Sequence, residues 1–500
     1  MRILMLGWEY PPHISGGLGT ACEGLTIALA RRGVEIDFLV PKLYGEEDAP
    51  HMHLLGAASA APSQVEPVQH VQSELPLVEA IAEPVSSEPT FATDPVPTSE
   101  VAAAGQREEA DVPAEIRMVH VPAMLKPYLD RATYQELIRG GSLPRAEYER
   151  RVATQAVPAI PVPPSAITRL EHAHVPGDDA VFAEEAQAFE GAGHYGDDLF
   201  AEVARYAVAA ARRVAGKKYD LVHAHDWMTF PAGIEIAQRA GAPLVVHVHS
   251  LEYDRAGQGA DRDIVAIERQ GLEYATRVVA VSYYTRSLIN RVHSTSLDKI
   301  SVVHNGVYAH ETVEAYSEQR SSTGPVVLFL GRVTFQKGPE YFVQAAARVL
   351  EHVPDAVFIM AGSGDMLPRM EALVEELGIT ESFRFPGWLR GAEIERAFST
   401  ASVYVMPSVS EPFGIAPLEA MSHDRPVIVS KQSGVSEILR NALKVDFWDV
   451  DKMASQIVAL LELPELRHTI VERAREEIRH IHWDAAAEKL VPVYESIIQA

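Results

Sequence analysis

Residues 402–421, SVYVMPSVSEPFGIAPLEAM, decide how this chain is read. The stretch opens as a short apolar run, VYVM, breaks at Pro407, and resumes in helix-forming residues after Pro417. β-Branched and aromatic residues without alternation suit a strand covered on both faces. A proline suits the first turn of a helix, where its missing N–H costs nothing. The predicted helix start near Ala416 leaves the N–H groups of Phe413, Gly414 and Ile415 without helical partners, and such orphan donors suit an anion such as phosphate. Gly414 lets a ligand approach the backbone closely. Two carboxylates, Glu411 and Glu419, flank this cradle. They make electrostatic sense there if they accept hydrogen bonds from neutral hydroxyls, as a sugar on one side of a diphosphate and a ribose on the other would offer.

The same strand–loop–helix unit recurs along the chain. Strands are predicted at 3–6, 35–40, 117–121, 221–224, 244–248, 277–281 and 300–303, then at 326–330, 356–360, 383–385, 402–406, 426–429 and 443–445. Helical patterns alternate with them, which predicts an α/β protein with two doubly wound, Rossmann-like parallel sheets. A chain of 500 residues exceeds what one core organises. The expected division is 1–310, 311–481 and a C-terminal helix over 482–500 that returns to the first domain. Its apolar face would carry Leu490, Val491, Tyr494, Ile497 and Ile498. Residues 57–113 hold eight prolines and ten acidic residues against the single Arg107, with no lasting period, so a disordered insertion is expected there. A second irregular segment is expected over 156–195.

Several other loops carry chemistry. Gly331-Arg-Val-Thr-Phe-Gln-Lys-Gly338 follows a predicted strand and places Arg332 and Lys337 at its C-terminal end, where two cations could stabilise a departing diphosphate. Gly362-Ser-Gly-Asp365 adds a glycine turn after the next strand, and Gly16 and Gly17 open the first helix. His223-Ala-His-Asp-Trp227 ends one strand, and His247 and His249 end the next. In the first pair, one histidine is expected to be buried and the other at the rim. No metal is expected, because the cysteines or the HExxH helix of familiar sites are missing. The pairs Asp261/Asp263 and Asp449/Asp451 read as loop and helix-cap aspartates. Cys22 reads as packing, and Arg212, Arg213, Lys217 and Lys218 as charges expected at a helix C-terminus.

Composition narrows the class. The chain is 47% hydrophobic and 23% charged with a net charge of −25, which argues against nonspecific nucleic-acid or anionic-lipid binding. No apolar run approaches the ~20 residues of a membrane span, and one cysteine excludes an intrachain disulfide. A cytoplasmic location without stable membrane insertion is the expectation.

Taken together, SGGLG near the start, HAHDW, VVAVSYYT at 278–285, GRVTFQKG, AGSGD and the E-x7-E of SEPFGIAPLE resemble, in this order, the retaining glycosyltransferases of the GT-B fold. The first loop, GWEYPPHISGGLGTACEGLTIALARRG, is most similar to the glycogen and starch synthase branch. The resemblance spans roughly residues 1–45, 115–150 and 195–500. It implies a hexosyltransferase moving glucose from ADP- or UDP-glucose to an oligo- or polysaccharide acceptor, without a cofactor. By the same resemblance Glu411 contacts donor-sugar hydroxyls, Glu419 binds the ribose, Arg332 and Lys337 hold the diphosphate, Gly16 and Gly17 approach it from the other domain, and His225 lies beside the donor sugar. Bacterial ADP-glucose synthases carry a lysine directly before their first-loop Thr-Gly-Gly-Leu, whereas Ile14 and Ser15 stand before Gly16 here. The donor base therefore stays open. So do a lipid-linked or cell-envelope acceptor, epimerase chemistry and a catalytically silent sugar binder on the same fold.

Overall fold

The computed structural model describes residues 1–12, 17–57, 199–308 and 324–499. The predicted strand at 117–121, the predicted insertion, the segment 156–195 and Gly16 lie outside the described residues.

Among the described residues thirteen strands form two sheets, every pairing parallel. The first holds β1 (Arg2–Leu6), β2 (Glu35–Val40), β3 (His53–Gly56), β4 (Leu221–His225), β5 (Leu244–Val248), β6 (Arg277–Ala280) and β7 (Ile300–Val302), in the order β3-β2-β1-β4-β5-β6-β7. The second holds β8 (Val326–Leu330), β9 (Val357–Ala361), β10 (Phe383–Gly387), β11 (Val403–Met406), β12 (Val427–Ser430) and β13 (Leu443–Val445), ordered β10-β9-β8-β11-β12-β13. Strand β3 is an addition: HLLG is too short and too mixed to stand out by pattern, and it forms because it pairs with β2.

Helices cover both faces, so the central strands are buried along their whole length, their few polar side chains included. β4 and β5 are buried at every position. Leu6, Val222, Ala224 and Val246 face one helical layer, while Ile3, Met5, Leu221 and Val245 face another. That second layer includes the helix Gly17–Arg31 and the C-terminal helix Trp483–Ile498, which pack on each other. Leu490 and Tyr494 are fully buried, whereas Ile498, expected on the apolar face, is 37% exposed because it lies in the last turn.

The helix–helix contact hinges on Gly24, since a methyl group there would overlap the Trp483 indole. Gly24→Ala is therefore expected to destabilise the fold by about 1–3 kcal/mol, the usual cost of overpacking. A lower urea midpoint with unchanged far-UV circular dichroism at zero urea would show it; an unchanged midpoint would contradict the packing.

In each sheet the strand order reverses once, between β1 and β4 and between β8 and β11. Open α/β sheets leave a crevice beyond the strand C-termini at such switch points. The two crevices open onto one cavity.

Candidate active site

The cavity has a volume of ≈ 310 Å³ and is lined from both sheets. From the second sheet come Gly331 and Arg332 after β8, Lys337, and the run Glu411–Glu419 after β11. From the first come Glu9 after β1, Gly17, Asp226 after β4, His249 and Ser250 after β5, Arg255, and Asn305 after β7.

The loop after β11 builds the centre. Pro417 starts the helix Ala416–Ser422, as its position predicts. The N–H groups of Phe413, Gly414 and Ile415 donate to no backbone carbonyl among the described residues. Gly414 sits at φ +99, a left-handed conformation that side-chain-bearing residues rarely adopt. Glu411 is 6% exposed and is held by the ammonium of Lys337 at 2.5 Å and the hydroxyl of Ser408 at 3.1 Å. Arg332 donates to Gln336 Oε1 at 3.1 Å, which aligns the guanidinium along the same rim. At the other end of the loop, burial pushes the Glu419 carboxyl up to about 7, the Glu395 carboxylate adding to the effect and His423 opposing it.

Across the cavity, Asp226 adopts φ +60 and accepts from the backbone N–H groups of His249 and Ser250 at 2.7 and 3.3 Å. Burial pushes its carboxyl up to about 7 against the Arg255 cation and these two donors. Glu9 accepts from Gly19 N–H at 3.2 Å, tying the strand-one loop to the first helix. The two halves touch beside the cavity. Ser282 Oγ donates to the Pro412 carbonyl at 2.6 Å, Ser410 Oγ donates to Asp254 at 2.7 Å, and the Glu437 carboxylate accepts from the N–H groups of Tyr283 and Tyr284.

Gly17, Arg332, Lys337, Glu411, Phe413, Gly414, Ile415 and Glu419 are thus brought to one cavity. Two other candidates sit elsewhere. Gly362 does not line it: its left-handed φ of +142 and its close approach to the Gly331 carbonyl make it the backing for Gly331, the glycine that does. His225 is fully buried, as is His223, so neither of the pair stands at the rim. The i, i+2 spacing sends both to one covered face. It is His249, bonded through Nε2 to His225 Nδ1 at 2.9 Å, that reaches the cavity. Glu9 and Asn305 were missed as well; their one signal is position, each following a strand C-terminus on the cavity side. The aspartate pairs are structural: Asp261 caps the helix Arg262–Tyr274 and Asp449 caps Val450–Glu462. Cys22 is fully buried, and among the described residues no helix is long and apolar enough to cross a membrane.

Two Rossmann-like sheets that share one cavity at their switch points define a two-domain transferase architecture of the GT-B kind. Comparison with known proteins agrees. Residues 313–477 match the family model described as Glycosyl transferases group 1, residues 171–311 match Glycosyltransferase Family 4, and residues 2–85 match the Starch synthase catalytic domain. An uncharacterized glycosyltransferase of Methanocaldococcus jannaschii is 34% identical over 297 residues, covering 56% of this chain and 75% of that one. A D-inositol 3-phosphate glycosyltransferase of Acidothermus cellulolyticus is 29% identical over 332 residues, 60% of this chain and 73% of its own length. Among solved structures, sucrose-phosphate synthase of Thermosynechococcus elongatus superimposes with a TM-score of 0.62 at 19% identity, covering 100% of this chain and 99% of that one. The chain belongs to the GT-B glycosyltransferases.

Proposed function

We propose that this enzyme transfers a hexose, glucose in the first instance, from a nucleoside-diphosphate sugar to a carbohydrate acceptor with retention of the anomeric configuration. The observation that carries the reading is the convergence, on a cavity flanked by Glu411 and Glu419, of Arg332, Lys337 and the N–H groups of residues 413–415, which donate to no backbone carbonyl among the described residues. Positive charge and N–H donors suit the diphosphate, whose departure they stabilise as negative charge develops. Glu411 and Glu419 lie on either side of that position, Glu411 for sugar hydroxyls and Glu419 for the ribose. In this reading residues 1–310 form the acceptor-side domain and 311–481 the donor-binding domain. Glu9, His249 and Asn305 then face the sugar and acceptor from the first domain.

The starch synthase match over residues 2–85 favours an α-glucan acceptor and glycogen-type synthesis. The inositol-phosphate-specific relative favours a second reading, transfer to a phosphorylated cyclitol. Purified protein incubated with radiolabelled ADP- and UDP-hexoses, with each acceptor class in turn, separates these. Sugar release without acceptor and transfer with one acceptor class is expected. A new sugar nucleotide would instead mean epimerase chemistry, and no turnover of any donor would overturn the proposal.

Glu419 gives the reading a pH signature. Its carboxylate accepts from two ribose hydroxyls, and that form is lost as pH falls through about 7. The donor KM is expected to rise several-fold between about pH 8 and about pH 6, with kcat changing less. Glu419→Gln should have a higher KM and a flat profile over that range; a variant that keeps the wild-type slope would remove Glu419 from the ribose.

A further inference from the structure

The pairing of β4 with β5 does something the linear sequence does not announce. It places His225 directly opposite His247, with His223 two residues away on the same face. All three side chains are at most 1% exposed. Their ring centres lie 4.3, 5.2 and 5.4 Å apart, and one nitrogen of each lies within 4.8 Å of the other two.

The outward nitrogens of two of these rings are taken. His223 Nδ1 is bonded to the Tyr494 hydroxyl at 2.6 Å, and His225 Nδ1 to His249 Nε2 at 2.9 Å. The Nε2 atoms of His223 and His225 and both nitrogens of His247 are buried without a hydrogen-bond partner among the described residues. Buried polar atoms in native proteins are nearly always satisfied, and a group left open calls for a water or an ion. The distribution is informative too: metal-bound imidazoles characteristically engage their remote nitrogen with a polar partner, which fixes the tautomer and aims the other lone pair.

We propose that His223, His225 and His247 bind one divalent transition-metal ion of the zinc class through neutral imidazole nitrogens. Three all-nitrogen ligands select zinc and its late transition-metal neighbours over magnesium or calcium, which take oxygen. The spacing suits a tetrahedral ion. With metal–nitrogen bonds of about 2.0–2.1 Å, ligated imidazole centres lie about 5.2 Å from one another, which the 5.2 and 5.4 Å pairs match and which the 4.3 Å His223–His225 pair reaches only as its rings turn apart. The rings are tilted or parallel to each other by 5° to 32°, so ligation turns them about χ2 without moving the strands. A water completes the fourth position. The ion ties β4 and β5 together and, through Tyr494, to the C-terminal helix. None of the three histidines lines the cavity, though His225 is bonded to His249, which does, and the site stands or falls independently of the proposed transfer reaction.

The test uses the full chain, tag-free, stripped with a chelator and desalted, then titrated with Co²⁺ and read by its visible d–d absorption. One equivalent of four-coordinate cobalt is expected, displaced by Zn²⁺, with a thermal midpoint that rises with Zn²⁺ concentration. His247→Leu should abolish the band and the Zn²⁺-dependent rise, while His480→Asn, on the exposed surface, should keep both. No band in the wild-type protein, or an undiminished band in His247→Leu, overturns the proposal. Should His247→Leu fail to fold, zinc K-edge X-ray absorption of the wild type decides. Three-imidazole ligation supports the site; bound zinc without it, or no bound zinc, overturns it.

Discussion

Lys337→Ala is expected to lower the rate of sugar transfer by about 10²–10³-fold, the loss typical of removing one preorganised donor to a developing charge. The ammonium is held at 2.5 Å from Glu411 and lines the cavity, so its position is set before a substrate arrives. Pre-set charges cost no reorganisation when the leaving diphosphate gains charge, which is why one such group weighs so much. The loss should fall on kcat as well as on kcat/KM, because the interaction strengthens in the transition state. Truncation also leaves Glu411 buried with the Ser408 hydroxyl as its one side-chain partner among the described residues. Lys337→Arg, which restores charge but not a point ammonium, should recover part of the rate. Far-UV circular dichroism should not change. A Lys337→Ala enzyme with full turnover would take this residue out of the chemistry.

A second large effect is expected from Arg255, this time on stability. Its guanidinium is buried between Glu252, at 3.1 Å, and Glu268, at 3.6 Å, and Glu268 also contacts His293 at 3.1 Å. One cation at the cavity wall thus offsets these two buried carboxylates, and its field also reaches Asp226 and Asp254. Arg255→Met removes the charge but keeps much of the volume. Breaking a buried ion pair costs about 3–5 kcal/mol, since the partner charges stay behind. The pH dependence has a definite sign. Burial already pushes the Glu252 carboxyl up to about 7, above its ordinary value of 4.5, despite the Arg255 cation. A carboxyl raised in the folded state is least costly to folding below its unfolded pKa and most costly once pH has passed the folded value. The deficit of Arg255→Met should therefore be largest above about pH 7 and should shrink as pH falls toward about 5. Denaturation midpoints of wild type and variant across that range give the check. Adding Glu252→Gln should restore part of the loss at the higher pH, and a deficit independent of both pH and Glu252 would mean that lost packing dominates.

How much of this could be read from the chain differs between fold and site. The strands were legible because fully buried parallel strands are written as largely apolar runs, as in VVLFL and VYVM. Twelve of the predicted strands form close to their expected limits, while HLLG escaped because its strand character comes from β2 rather than from its own pattern. The loop after β11 was legible for a related reason. Proline, glycine and carboxylates at a strand-to-helix turn have few local explanations, and Pro417 fixes the helix start on which the others depend.

The sequence by itself determined the α/β class, the repeated strand–helix unit and the loop chemistry at the strand C-termini, because each rests on interactions within a few residues of the chain. Only the tertiary structure decided which residues meet. Gly331 lines the cavity in place of Gly362, and His249 reaches it in place of His225. Glu9 and Asn305, almost three hundred residues apart in sequence, line the same cavity. The histidine triad follows the same rule, since it exists only through the register of β4 on β5. Period-two spacing tells which side chains share a face, but not what covers that face or which neighbouring strand lies beside it. Those are settled by burial of the whole sheet beneath its helices, a long-range free energy that no local pattern encodes.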